Sequence, residues 1–176
     1  KAKVDFNAIC DQVLPGMQEL MSDHAGRHKL SDFVLRYHHT THILEMGETR
    51  FRKDYCKWAE KKGYRNCERM AVLIFATAQN GIPVLPNAPS TQIVITEAIR
   101  VLHTVEASRD AILTQMQALA KTLPEYSLVR EMPCIGDTLA PRLIAEIGDV
   151  RRFHSKRALI AYAGIDAPPY QSGKFC

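Results

Sequence analysis

Along most of the chain, apolar positions recur at three- and four-residue intervals, broken by glycine and proline rather than by alternation. Val4 to Val13 reads as an amphipathic helix that stops before Pro15-Gly16, and a short second helix continues to about Asp23. Thr40 or Thr41 can cap a turn or two ending at Gly47. Glu48 to Lys62 makes a longer helix with Gly63 just past its end, where a left-handed residue closes the last turn. Cys67 to Gln79 is strongly apolar and reads as a buried helix. The run Asn80-Gly81-Ile82-Pro83-Val84-Leu85-Pro86-Asn87-Ala88-Pro89 cannot continue it and reads as a linker. Ser90 is placed to cap a long helix, since Thr91 to Thr122 contains neither glycine nor proline.

In that long helix Ile95, Ile99, Leu102, Leu113, Met116, Ala120 and Leu123 fall on a 4–3 spacing, with Glu106 and Arg109 on the same seam. Such a seam packs either against a second copy of the chain or inside its own domain. Beyond it, Thr138 caps a helix to Ile147, where Pro141 falls in the first turn and Gly148 ends it. Ser155 caps another helix through Ala163, closed by Gly164. Short strands are conceivable only at residues 81–85 and 167–171. The expected fold is mainly α: a helical bundle with one long coiled-coil-like helix and a C-terminal unit like a helix-hairpin-helix. Expected divisions are a helical region over 1–80, a linker over 81–89, the long helix over 90–123 and a C-terminal domain over 124–176.

Composition narrows the function classes. The longest apolar run, Met70 to Ala76, is too short to cross a bilayer, so no membrane role is expected. Five widely spaced cysteines without a CxxC pair argue against a disulfide framework and for a reducing cytoplasm. The net charge of +4 is uneven: residues 27–69 hold eleven bases against six acids. Within them Phe51, Tyr55 and Trp58 share one helix face, and Arg50, Lys53, Lys57 and Lys61 form a stripe on another. The aromatics read as core-facing; the basic stripe is either a phosphate-tracking ridge or an ordinary wet face. Histidines at 24 and 28, and at 38, 39 and 42, lack the third ligand a metal would need, so no metal site is assigned.

The C-terminal segment carries more chemistry. Met132-Pro133-Cys134-Ile135-Gly136-Asp137-Thr138-Leu139-Ala140 has the form of a hairpin whose amides, at the start of the next helix, can hold a DNA phosphate. Cys134 stands where a first glycine is usual, and a plain helical turn is the competing reading. Arg151, Arg152, Lys156 and Arg157 surround Phe153 and His154 and can clamp phosphate or simply face water at a helix entry.

Five blocks in order, Met132 to Ala140, Leu143 to Asp149, Arg152-Phe153, Ala161 to Ile165 and Gln171-Ser172-Gly173, resemble the C-terminal transposase domain of the IS110 group of insertion-sequence transposases. The long helix is similar to that family's coiled-coil region. The resemblance implies DNA transposition guided by a structured RNA, by an assembly of several subunits associating here through residues 91–122. It implies a serine nucleophile, at Ser172, with Gly173 and Lys174 beside the phosphate. It also implies Mg²⁺ held by four acidic residues of a resolvase-like domain with no counterpart in these residues. The chain starts at Lys1 and stops without a capped helix end, so it is expected to be a fragment, inactive alone. The competing reading is a non-enzymatic helix-hairpin-helix module that binds DNA without sequence preference.

Overall fold

The computed structural model describes residues 1–21 and 28–165. Among them are ten α-helices, one short 3-10 turn and no strand, so residues 81–85 do not form the strand that their sequence allows; 167–171 lie outside the described residues. The chain divides into two compact units, Lys1–Arg109 and Asp110–Cys176.

The first unit contains α1 (Ala2–Val13), α2 (Met17–Met21), α3 (Lys29–Tyr37), α4 (Thr40–Met46), α5 (Glu48–Lys61), α6 (Cys67–Asn80) and the N-terminal part of α7 (Pro89–Ala120). Phe6, Cys10 and Val13 of α1 repeat at four- and three-residue steps and are buried on one face. Burial pushes the Cys10 thiol up to about 12, helped by the Asp11 charge. Pro15 and Gly16 then turn the chain. Gly16 lies at φ +77, and a Cβ there would sit 3.0 Å from Thr77 Cγ2 of α6. Glycine is required there by both backbone and space.

An aromatic cluster forms the centre of this unit. Phe33 lies 4.8 Å from Tyr37 between ring centroids, Tyr37 lies 5.2 Å from Phe51, and Tyr55 lies 5.6 Å from Trp58. Phe33 and Phe51 are completely buried, and Tyr37 and Tyr55 nearly so. Rings at these separations add to the burial of their area, each fully buried large side chain contributing about 1.5–3 kcal/mol. The Phe51, Tyr55 and Trp58 face of α5 is therefore a core face, as its spacing predicts.

Several helix ends differ from expectation. The cap of α4 is His39 rather than a threonine: its Nδ1 accepts from the Thr41 amide at 3.1 Å. That bond fixes the proton on Nε2, which donates to Leu85 O at 2.9 Å. Thr40 instead turns its hydroxyl to Val13 O, satisfying a carbonyl at the end of α1. Helix α5 stops at Lys61, with Gly63 at φ +77 as expected. Helix α6 is not buried all round: Ala71, Ile74, Phe75 and Ala78 face inward, whereas Val72 and Leu73 are exposed. Helix α7 begins at Pro89, so Ser90 lies inside the first turn instead of capping it. The proline-rich run is fastened down, because the Val84 and Leu85 amides both donate to Gln12 O. Gly81 packs so closely on Pro15 that a Cβ would come within 2.8 Å of its ring.

Ile95, Ile99 and Leu102 of α7 are buried in this same core, so the first half of the expected seam is filled within the unit. Glu106 meets His28 at the start of α3 instead of a second chain, its Oε2 3.4 Å from His28 Nδ1. The exposed apolar positions of α7 are Ile93, Val94, Val101, Val105, Ile112 and Leu119.

The second unit holds the last turns of α7, then α8 (Glu125–Arg130), α9 (Leu139–Ile147), the 3-10 turn Val150–Arg152 and α10 (Lys156–Tyr162). Ala120, Ala140 and Pro141 are buried; most larger apolar side chains remain open.

Candidate nucleic-acid interface

Helices α8 and α9 pack together and are joined by the turn 131–138. Cys134 adopts φ +66, the left-handed region that glycine enters freely and other residues enter at a cost. The cysteine thus takes a conformation usual for glycine. The Ile135 amide donates to Met132 O, and the Leu139 and Ala140 amides both donate to Gly136 O. Among the described residues, the amides of Gly136, Asp137 and Thr138 donate no hydrogen bond within the chain. They stand at the positive end of the α9 dipole. Thr138 occupies the cap position but its hydroxyl makes no capping bond. Nothing lies within 4 Å of where a Gly136 Cβ would be, so the backbone there is open to an incoming group.

Of the two acids in this turn, Glu131 and Asp137, the one beside the open amides is neutralised. Asp137 Oδ1 lies 2.7 Å from Arg130 Nε and accepts from Tyr126 Oη at 3.0 Å, while Arg130 Nη1 donates to Ile135 O. Arg130 and Tyr126, which sequence reasoning did not single out, therefore hold the turn in shape. Only their five- and eleven-residue spacings to Ile135 and Asp137 could have signalled it.

Past Gly148 (φ +63), Asp149 Oδ1 accepts from the Arg151 amide and caps the 3-10 turn. Ser155 Oγ accepts from the Ala158 amide and caps α10 as expected. Arg151, Arg152, Lys156 and Arg157 all sit at the surface. Arg152 is already engaged, its guanidinium 4.7 Å from the ring centroids of both Phe153 and Tyr162. Tyr162 Oη in turn donates to Glu146 O at 3.1 Å, tying α10 to α9. Gly136 precedes α9 and the basic segment comes after it, so the nine-residue helix separates them by about 14 Å. They form two contact points rather than one clamp. Ser172, Gly173 and Lys174 lie outside the described residues.

An open groove of about 630 Å³ also lies in this unit, lined by Met116, Leu123, Leu128, Val129, Ile144 and Leu159 among others.

No three His, Cys, Asp or Glu side chains converge on a metal position among the described residues, so the Mg²⁺ implied by the resemblance finds no ligand set there. His24 is outside the described residues. His38 and His42 stack with centroids 6.5 Å apart, and burial followed by the His42 charge holds the His38 imidazole below its ordinary value. No described helix is long and apolar enough to cross a membrane.

The sequence profile of the transposase IS116/IS110/IS902 family matches residues 126–176, the stretch that contains the hairpin and the basic segment. Over those residues the chain is similar to the IS116/IS110/IS902 transposase family. An uncharacterized 43.6 kDa protein of insertion element IS110 from Streptomyces coelicolor is 23% identical over 168 residues, which is 96% of this chain and 40% of that protein. The chain thus spans about two fifths of the length of the curated relative it matches, and the likeness reaches into the first unit as well as the second. No solved structure matches.

Proposed function

We propose that this chain is part of a DNA transposase and that its second unit docks on the phosphate backbone of the DNA to be recombined. The observation that carries this reading is the turn 131–138, with open amides at a helix start and Asp137 among them neutralised by Arg130, inside the segment that matches the family. Amides at a helix start hold phosphate without reading bases, which suits an enzyme that positions DNA for chemistry. The exposed cations Arg151, Lys156 and Arg157 give a second phosphate contact about 14 Å away. That separation is comparable to the roughly 12 Å width of a major groove.

In the intact protein Ser172 is the nucleophile. Its hydroxyl oxygen attacks a backbone phosphorus, the sugar oxygen leaves, and the serine proton goes to a base. The resulting phosphoserine ester conserves the bond energy needed to rejoin strands. Gly173 and Lys174 border the reacting phosphate. A structured guide RNA selects target and donor, and acidic residues of a resolvase-like domain outside these residues supply Mg²⁺. This chain by itself binds nucleic acid and cuts nothing.

Replacing Ser172 with Ala in the full-length protein tests the reading. Recombination is expected to vanish while DNA retention on a gel is unchanged. Undiminished recombination leaves only the non-enzymatic DNA-binding module.

We place self-association of the parent protein on the outward stripe Val94, Val101, Val105, Ile112 and Leu119 of α7, whose members recur at seven- and four-residue steps, against the same stripe of a second copy. Sedimentation should show concentration-dependent association that Val105→Glu with Ile112→Glu abolishes; a monomer at all concentrations refutes it.

A further inference from the structure

The first unit carries a feature that the proposed DNA contacts of the second unit do not use: the basic stripe of α5. Phe51, Tyr55 and Trp58 turn into the core, which forces Arg50, Lys53, Lys57 and Lys61 onto the opposite, exposed face. Lys53, Lys57 and Lys61 succeed one another at about one turn, roughly 6 Å along the axis, so like charges are stacked in the row where opposite charges would stabilise a helix.

Of the carboxylates nearby, Asp54 feels the charge of Arg50, but none pairs with Lys53, Lys57 or Lys61. Asp54, the acid next to the stripe, is taken by Arg36 of α3, with Nη2 donating to Oδ1 at 2.8 Å and to Oδ2 at 2.9 Å, and by the Tyr37 hydroxyl. Glu48 and Glu68 both pair with Arg52, and Asp32 pairs with Lys62. Each of these pairs uses a cation that lies off the stripe. Among the described residues, no carboxylate is within ion-pair distance of Arg50, Lys53, Lys57 or Lys61. Glu60 is the acid that remains exposed at the edge. An ordinary solvated helix face intersperses the two signs; here the acids are drawn aside and a row of cations is left bare.

We infer that this ridge is a second nucleic-acid contact, seating the phosphate backbone of a DNA duplex along Arg50, Lys53, Lys57 and Lys61. From residue 50 to residue 61 it measures about 17 Å, the axial length of about five phosphate steps on one strand. A straight row of flexible ammonium groups suits a repeating anion and offers no fixed fork for reading bases, so the contact is independent of sequence. The choice of DNA over another polyanion rests on the transposase function proposed for the parent protein.

The test uses the whole chain with a blunt DNA duplex, and in parallel an RNA duplex of the same length, titrated between 50 and 200 mM salt. The variant Lys53→Gln, Lys57→Gln, Lys61→Gln keeps residues that favour helix and removes three cations. On DNA its log affinity against log salt is expected to be shallower by about 2.7, so that the wild type loses about 40-fold more affinity than the variant across that range. Circular dichroism confirms that the variant is folded. An unchanged slope on DNA overturns the ridge, as does a slope that changes on RNA alone. A companion variant, Arg151→Gln, Lys156→Gln, Arg157→Gln, separates the two readings. If it alone lowers the slope, the ridge fails and the proposed function stands; if the wild type shows no salt-dependent DNA binding, both fail.

Discussion

The two units use similar helices to different ends. In the first, the inward apolar faces meet in one core: Phe6, Leu14, Phe33, Ile74 and Ile95, from four helices and a turn, are all buried to within a few per cent. In the second, amphipathic helices stand around a groove. Leu123, Leu128, Leu139, Ile160 and Tyr162 keep between about a third and two thirds of their surface in water. The first unit is stabilised by its interior, whereas the second is held by local devices: caps at Ser155 and Asp149, the Arg130–Asp137 pair and the Arg152 stack. The stretch that matches the transposase family is the one with almost no core.

That contrast can be broken by substitution. Phe33→Ala removes a completely buried ring and is expected to cost about 3–5 kcal/mol, enough to unfold the first unit at moderate urea. Leu128→Ala, at a position 63% exposed, should change stability by no more than about 0.5 kcal/mol. Urea melts of the two variants compare them directly, and similar losses would mean the second unit has a core of its own.

A smaller effect sharpens the electrostatic side. Burial would raise the Asp54 carboxyl, but the hydrogen bonds from Arg36 and Tyr37 outweigh it and hold the group below its ordinary 3.8. A depressed carboxylate contributes stability that is complete above its unfolded value and is lost as pH falls through its folded one. Wild type should therefore exceed Asp54→Asn in stability at neutral pH, by at most about 1 kcal/mol because the pair is partly exposed. The gap should close below about pH 3.8, as thermal melts of both proteins would show. A gap that does not narrow as pH falls below 3.8 would mean the carboxylate charge is not what Asp54 contributes.

Much of the helical layout is legible because glycine and proline mark it. Gly63, Gly148 and Gly164 each adopt the positive φ that ends a helix, and Pro141 sits in a first turn. Helix α3 is not among the expected elements although Leu30, Phe33, Val34 and Tyr37 repeat at helical spacing, because the neighbouring histidines direct attention to metal ligation. The role of the α7 seam is not legible at all. A 4–3 pattern is the same whether its stripe meets another chain or its own core, and here Ile95, Ile99 and Leu102 meet the core. At the candidate interface, the spacing exposes the turn and the basic segment. Which cation is already spent stays hidden, since the stack of Arg152 on Phe153 and Tyr162 depends on how α10 folds back.

The clasp of residues 81–88 onto the end of α1 sets where the first unit can be trimmed. Cutting before Gly81 would strip the Gln12 carbonyl and the His39 ring of their partners, and would also uncover the wall that Ile95 to Leu102 close. The shortest autonomous piece of this chain accordingly extends past Leu102, and what looks in the sequence like a tether is instead its buckle.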